Sequence, residues 1–254
     1  MRQWILLWCG LLVGTVQAGE ATIAVAANFA APVERLAEAF AAQGPHRVRV
    51  SGGSSGGLYM LITQGAPFDL FLSADQARPA RLVGEQHALA DTRCTYAIGR
   101  LVLWSADATR IGANPVAALT DVRLRHLAIA SPDVAPYGAA AREVLRGLGL
   151  WEALTPRLVQ GVDIGQAYHM AASGNAELAF VAKSSLAAAK QAGGSRWEVP
   201  AELHAPLAQD VVLLEHGRDN AAARAFLAFL GSETGRALIR AYGYDMAVSG
   251  GCRG

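Results

Sequence analysis

The sequence predicts an α/β protein of two halves, each a mostly parallel sheet flanked by helices, joined by two extended segments. Three observations support this fold class. Short apolar runs alternate with segments of helical period through residues 21–72. The same alternation returns over residues 127–181. Two longer apolar stretches, near 95–105 and 208–216, lead the chain out of the first half and back to it.

The first half has the order β-α-β-α-β. The run 21–27 has a β-branched centre and predicts a buried strand, and Val33, Leu36 and Phe40 follow at helical spacing. Further along we predict a strand over 46–51, a glycine and serine loop over 52–57, a helix over 58–64 ended by Gly65, and a strand over 68–72.

The second half repeats this pattern. Asp163 is a good N-cap for one of its helices, and Gly149 and Gly174 follow predicted helix ends. We predict strands over 127–130, 157–161 and 178–181, and helices over 139–148, 164–172, 221–230 and 234–242. Because ligands of open α/β sheets bind at the carboxyl ends of strands, two such halves predict a hinged, ligand-binding cleft.

Composition excludes several classes of protein. The 254 residues are 52% hydrophobic and 17% charged, which is enough apolar mass for a real core. The 22 Lys and Arg residues balance 21 Asp and Glu residues, so no basic excess exists for binding nucleic acid. The six His residues are isolated and lack metal-ligand spacing, so we expect no metal-cation site.

Residues 1–18 have the features of a secretory signal peptide. Arg2 supplies a positive start, 5–16 is an apolar run too short to span a membrane comfortably, and Ala18 ends a small-residue cleavage signal. We therefore expect cleavage after Ala18 and export of a soluble chain. Cys94 and Cys252 then remain, and in an oxidising compartment they are either a disulfide or two unrelated thiols. We favour the disulfide, because the closing helices should return the chain end to the first half.

Four loops run from a predicted strand into a predicted helix. A helix start offers free N–H groups and a partial positive charge, so several of them in one cleft would bind an anion without Lys or Arg. The alternative is that all four are ordinary connections. These loops carry Ala27-Asn28, Ser54-Ser55, Pro136-Tyr137-Gly138 and Asp163-Ile164.

A secreted serine hydrolase is the competing hypothesis. Residues 52–56 match the G-x-S-x-G nucleophile elbow, with Ser54 as nucleophile and His204 or His216 as base. No oxyanion segment of the HGGG type precedes the elbow, and too few residues precede it for the usual strands. Binding without catalysis is the favoured prediction.

The motifs at these loops resemble those of the molybdate-binding periplasmic proteins of molybdate ABC transporters. The similarity covers nearly all of the chain after the signal peptide, and the string GAPFDLFLSAD at 65–75 is its most specific part. The other motifs are VAANF at 25–29, SSGGL at 54–58 and APYG at 135–138.

The resemblance implies a two-lobed periplasmic-binding-protein fold of type II, hinged by two crossing strands. The first lobe would comprise 19–98 and 212–254, and the second 99–211. The implied ligand is one molybdate or tungstate ion between the lobes, and the implied partner is the membrane permease of an ABC transporter. We expect a periplasmic monomer without a cofactor.

Carried over by position, the ligand contacts fall at five residues. We expect Ser55 to offer its hydroxyl and Asn28 its side-chain amide, with an N-cap as the competing role for Asn28. Tyr137 and Ile164 would act mainly through the backbone N–H at helix starts, and Ala27 is included as the neighbour of Asn28. The full set is Ala27, Asn28, Ser55, Tyr137 and Ile164. One branch of the family also uses a Tyr where this chain has Ala182, so the chain resembles the other branch.

The chemistry of the ion is consistent with such a site. Molybdate is a fully deprotonated tetrahedral dianion at neutral pH, so a site made only of donors suits it. Phosphate still carries a proton and needs an acceptor, for which Asp133 and Asp163 are the nearby candidates. Sulfate also accepts only, so the size of the pocket must separate it from molybdate.

Overall fold

The computed structural model describes residues 18–189, 193–247 and 250–252. The predicted signal peptide therefore lies, except for Ala18, outside the described residues. In the part that is described, no helix is long and apolar enough to cross a membrane.

Ten strands and ten α-helices make up the described chain. The strands are β1 (Glu20–Ala26), β2 (Arg47–Gly53), β3 (Leu70–Leu72), β4 (Cys94–Gly99), β5 (Leu101–Ser105), β6 (Leu127–Ala130), β7 (Leu158–Gly161), β8 (Leu178–Ala182), β9 (Ser195–Glu198) and β10 (Leu207–Leu213). The helices are α1 (Ala30–Ala41), α2 (Ser55–Thr63), α3 (Ala77–Gly84), α4 (Pro115–Thr120), α5 (Pro136–Gly147), α6 (Trp151–Leu154), α7 (Ile164–Ala172), α8 (Lys183–Ala188), α9 (Ala221–Gly231) and α10 (Glu233–Ala241).

The strands form two separate five-stranded sheets, which confirms the predicted two-lobed α/β fold. The first sheet has the order β2-β1-β3-β10-β4, and the second has the order β7-β6-β8-β5-β9. Within each sheet the three strands of the βα units are parallel, while the remaining two pair antiparallel. The chain changes sheet at Arg100, between β4 and β5, and returns with β10.

Both lobe boundaries differ from the prediction. The division between residues 98 and 99 falls inside β4, whose last residue is Gly99. A division between residues 211 and 212 falls inside β10, whose seven residues all belong to a strand of the first sheet. We therefore place the division before Leu207. The apolar sequence of β10 does not reveal which sheet this strand joins. Its place in the first sheet depends on its pairing with β3 and β4.

Two helices begin earlier than predicted. The expected loop 52–57 is instead the end of β2 and the first turn of α2, because the Ser54 side chain accepts a hydrogen bond from the Gly57 N–H and caps the helix. Helix α5 begins at Pro136, which is well suited to the first helical position. The three glycines predicted to end helices, Gly65, Gly149 and Gly174, have positive φ angles.

Each lobe has its own apolar core. In the first, Ile23 and Val25 of β1 pack with Phe29 and Phe226 on one face of the sheet, and a smaller cluster around Phe71 covers the other. The second core gathers residues of β5, β6 and β8 with α5 and α7. The sheets are thus rigid frames whose strand ends can hold a site in place.

The end of the chain is fastened to the first lobe. Cys94 at the start of β4 and Cys252 form a disulfide, with the two sulfurs 2.03 Å apart. The bond closes a loop of 158 residues that includes the whole second lobe.

Candidate functional site

A small cavity lies between the lobes where strand ends meet helix starts. The cavity volume is about 10 Å³. A cavity of this size suits one small ion better than an extended ligand. All five residues carried over from the resembled family line it. The lining residues are Ala26, Ala27, Asn28, Gly53, Ser54, Ser55, Ala74, Ala135, Pro136, Tyr137, Asp163 and Ile164.

Ser55 is set up to donate its hydroxyl. It is the first residue of α2 and is 1% exposed. Its Oγ accepts a hydrogen bond from the Ala74 N–H at 2.9 Å. Because that bond occupies one lone pair, the hydroxyl proton remains available for a ligand in the cavity.

Three α-helices of nine or more residues begin at the cavity wall. They are α2, α5 and α7, and Ser55, Pro136-Tyr137 and Ile164 are in their first turns. First-turn N–H groups have no acceptor within the helix, and the helix dipoles add positive potential at these ends. Tyr137 and Ile164 can therefore donate through their backbones, whatever their side chains are.

The electrostatics of the cavity suit an anion that only accepts hydrogen bonds. None of its lining residues is Lys, Arg or His, and the single ionisable carboxyl group is that of Asp163. The Asp163 carboxylate already accepts the Gln166 N–H at 2.9 Å and caps α7. Asp133, the other acceptor considered for phosphate, is not a lining residue, and its carboxylate pairs with Arg142 at 3.3 Å.

The structure corrects the role expected of the Asn28 side chain. Its Nδ2 donates at 2.9 Å to Gln209 Oε1 and at 2.9 Å to the Tyr244 hydroxyl, so both amide protons are used within the protein. The competing interpretation as an N-cap is also wrong, since neither the turn at 27–29 nor α1 has a side-chain cap bond. The side chain of Asn28 therefore anchors one wall of the cavity. Only the backbone of Asn28 remains to face a ligand.

A buried amide on β10 links the two lobes behind the cavity. Gln209 is fully buried, and its Oε1 accepts from Asn28 and from the Tyr96 hydroxyl at 3.0 Å. Its Nε2 donates to the Tyr137 hydroxyl, across the cleft, at 3.2 Å. Sequence reasoning missed Gln209, Tyr96 and Tyr244. The one available signal was Gln209-Asp210, two polar residues inside the otherwise apolar run 207–213.

The three phenols of this network stay protonated at physiological pH. Burial raises the pKa of the Tyr96 and Tyr137 hydroxyls well above the ordinary tyrosine value. Burial also raises the pKa of Tyr244, although its hydrogen bonds with Ser184 and Asn28 oppose that shift. Neutral hydroxyls beside an anion site add no negative charge to it.

The Tyr137 hydroxyl packs against the end of β4. A Cβ at Gly99, the last residue of β4, would overlap the Tyr137 hydroxyl, so the phenol can lie there only because residue 99 has no side chain. Ala182, where the other branch of the family has a Tyr, is the buried last residue of β8.

The lobes touch at the mouth of the cavity. The Gly56 N–H donates to the Val134 carbonyl at 2.8 Å, and a Cβ at Gly56 would lie only 2.9 Å from that backbone. Arg78, paired with Asp75, reaches the Asp133 carbonyl at 3.3 Å. The first lobe thus holds two consecutive carbonyls of the second, and the cleft is closed.

The geometry does not support the hydrolase hypothesis. The Ser54 hydroxyl accepts the Gly57 N–H at 3.2 Å as a helix cap, and no base among the described residues forms a hydrogen bond with it. His216 contacts Asp69 at 3.1 Å, and His204 contacts the Ala205 carbonyl at 2.7 Å. Neither histidine lines the cavity. Among the described residues, no cluster of three His, Cys, Asp or Glu side chains is arranged to hold a metal ion.

Comparison with known proteins agrees with this geometry. The family described as bacterial extracellular solute-binding protein matches residues 21–245. The chain belongs to this family. Its name refers to binding a solute and not to a reaction.

Two curated relatives show to which group of solute-binding proteins the chain belongs. The molybdate-binding protein ModA of Rhodobacter capsulatus is 48% identical over 227 residues, which are 89% of this chain and 88% of that protein. ModA of Azotobacter vinelandii is 45% identical over 246 residues, or 96% of this chain and 97% of that one. Within the solute-binding proteins, this chain is therefore a member of the ModA family.

A solved ModA-family structure has the same fold. The periplasmic molybdate-binding protein of Azotobacter vinelandii superposes with a TM-score of 0.85 at 40% identity, covering 89% of this chain and 99% of that one. Both lobes are therefore included in the likeness.

Proposed function

We propose that this protein captures molybdate, or tungstate, between its lobes and delivers it to the membrane permease of an ABC transporter. The observation that carries the proposal is the small cavity between the lobes, which brings several hydrogen-bond donors together without any Lys, Arg or His in its lining. The Ser55 hydroxyl and the first turns of α2, α5 and α7 face it, and its one carboxylate is engaged as a helix cap. Membership of the ModA family supports the choice of ion.

The donors favour a fully deprotonated tetrahedral ion over a protonated one. Hydrogen phosphate would bring an O–H into a cavity whose one carboxylate, that of Asp163, already accepts the Gln166 N–H as a helix cap. A donor left without a partner in a buried site costs about 1–3 kcal/mol. Sulfate has no such proton, but it is a smaller tetrahedron, so donors placed for molybdate reach fewer of its oxygens at good distance.

Titration calorimetry at pH 7 with four sodium salts tests the proposal. We expect molybdate and tungstate to bind at one site, sulfate at least about 100-fold more weakly, and phosphate not measurably. At a free molybdate concentration 100 times its Kd, the folded state should gain about 2.7 kcal/mol of stability. Tighter binding of sulfate or phosphate, or no binding of any of the four, would contradict the assignment.

We also infer that the chain reaches the periplasm as a monomer after cleavage behind Ala18. The first strand begins at Glu20, and the Gly19 N–H donates to His46 Nδ1 at 3.1 Å, so the folded lobe starts immediately after the expected cleavage point. The mass of the protein recovered from periplasmic extract should correspond to a chain that starts at Gly19. A chain that retains residues 1–18 would contradict the predicted cleavage.

A further inference from the structure

The C-terminal tail, residues 242–247 and 250–252, runs along the outer edge of the first sheet. Ile98 on β4 and Asp245 exchange two backbone hydrogen bonds, of 2.8 and 3.0 Å. Further along, the Cys252 N–H donates to the Thr95 carbonyl at 3.3 Å. The Cys94–Cys252 disulfide fastens the tail at its far end. The tail is thus attached to β4 at Asp245 and again at Cys252.

This anchored tail places one side chain behind the oxyanion cavity. Tyr244 is 4% exposed, and its ring packs edge-on against Phe29 with the centroids 5.3 Å apart. Its hydroxyl donates to the Asn28 carbonyl at 2.8 Å and accepts from Asn28 Nδ2 at 2.9 Å. One phenol therefore holds both the backbone and the side chain of a cavity residue.

The direction of the Asn28 carbonyl matters for an anion. That oxygen also accepts from the Ser184 hydroxyl at 2.7 Å, and neither Tyr244 nor Ser184 lines the cavity. A carbonyl oxygen turned toward the cavity would repel an oxyanion at short range. The Tyr244 and Ser184 hydroxyls hold the Asn28 carbonyl oxygen on the side away from the cavity. This carbonyl therefore does not present an acceptor to an anion in the cavity.

We propose that Tyr244 is a positioning residue for the oxyanion site, and that the disulfide keeps it in place by anchoring the tail. This inference rests on the proposed function, because its effect is on the affinity for molybdate. Tyr244 acts through Asn28 and does not touch the ion. Tyr244 therefore belongs to the binding machinery, although it lies outside the cavity.

Tyr244→Phe removes the hydroxyl and keeps the ring against Phe29. We expect its Kd for molybdate to rise about tenfold by calorimetry at a temperature where the protein is fully folded. Tyr242→Phe is the matched control, because it removes a phenol hydroxyl from the same tail without touching Asn28. Its Kd should stay within about twofold of the wild type.

Two further measurements separate positioning from a general loss of structure. The side-chain amide resonances of Asn28 should shift in Tyr244→Phe and stay in place in Tyr242→Phe, in both cases without ligand. Removing the disulfide with Cys94→Ser/Cys252→Ser should also weaken molybdate binding. Adding Tyr244→Phe to that variant should weaken it by much less than tenfold, because the two changes act through the same contact.

The outcomes distinguish the two proposals. If the wild type binds molybdate and Tyr244→Phe binds it equally well, the positioning role is wrong and the proposed function stands. Equal losses in Tyr244→Phe and Tyr242→Phe would likewise overturn the positioning role. If the wild type binds neither molybdate nor tungstate, both proposals fail.

Discussion

The two lobes build their halves of the cavity by different means. The first lobe adds side-chain contacts to the first turn of α2. The Ser55 hydroxyl is oriented by Ala74, and the Asn28 wall is held by Gln209 and Tyr244. The second lobe supplies mainly the first turns of α5 and α7, where the backbone is the donor. The first half therefore depends on residue identity, and the second on where helices begin.

The lobes also differ in how the chain is tied together. Both cysteines of the disulfide are in the first lobe, and residues 101–206 contain no cysteine. The second lobe lies within the closed loop as an insertion and is held by its apolar core. The following tests probe this contrast in order of decreasing expected effect.

Loss of the disulfide should have the largest effect, and it acts on stability. Cys94→Ser/Cys252→Ser frees a 158-residue loop in the unfolded chain, so we expect a loss of about 2–5 kcal/mol. Urea unfolding measures this as a lower midpoint. Each single variant should lose about as much, because each breaks the same bond. An unchanged midpoint would show that the tail needs no covalent anchor.

Ser55→Ala tests the side-chain half of the site. It deletes a hydroxyl that would donate to a dianion, so we expect about 1.5–3 kcal/mol less binding energy, or roughly 10- to 150-fold in Kd. Ser232→Ala is the matched control, since Ser232 caps the start of α10 and does not line the cavity. It should lose stability and keep its affinity. Similar affinities for the two variants would argue against Ser55 as a donor.

Gly56→Ala tests the contact between the lobes. The new Cβ would lie 2.9 Å from the Val134 backbone of the second lobe and would hinder closure of the cleft, so we expect the Kd for molybdate to rise at least about tenfold. The empty protein should melt no earlier, because alanine favours helix α2. Gly147→Ala, a helical position with no neighbour within 4 Å, should leave the Kd unchanged. Equal affinities would mean that the lobes need not close this far.

Alkaline pH tests the buried network that joins the lobes. The pKa of Tyr137 is raised in the folded state, so its contribution is complete below the unfolded pKa of about 10 and is lost as pH rises above that value. Between pH 9 and 11, the wild type should therefore lose more stability than Tyr137→Phe, by an amount on the order of 1 kcal/mol. Urea unfolding at both pH values gives this difference. Parallel losses would place the phenol in contact with solvent.

The smallest effect is expected when only the side chain of Ile164, in the second lobe, is shortened. Ile164→Val keeps the backbone N–H at the start of α7, so the Kd should stay within about twofold, with a stability cost of about 0.5–1.5 kcal/mol. Calorimetry on this variant checks the claim that identity does not matter here.

Ile164→Pro sharpens that test. Proline suits the first position of a helix, and Asp163 before it is already extended, so the variant removes the N–H with little strain. We expect about a tenfold loss of affinity. A tenfold loss in Ile164→Val as well would show that the side chain, and not the backbone, makes the contact.

Much of this protein follows from local sequence signals. The alternation of apolar runs and helical periods predicts the two sheets, and Asp163 and Gly174 mark the limits of α7, because propensity and capping act within a few residues. The four strand-to-helix loops also predict which residues line the cavity. These signals are local, so they can be read without knowing how the chain packs.

What only the tertiary structure decided depends on contacts between distant residues. The pairing of β10 with β3 and β4 determines which lobe it joins, and Gln209 and Tyr244 reach Asn28 across 181 and 216 positions of the chain. A side-chain amide has no local preference that reveals its partner. Folding brings Gln209 on β10 and Tyr244 near the C-terminus to Asn28. These two buried side chains accept the hydrogen bonds from the Asn28 amide that the sequence predicted for the ligand.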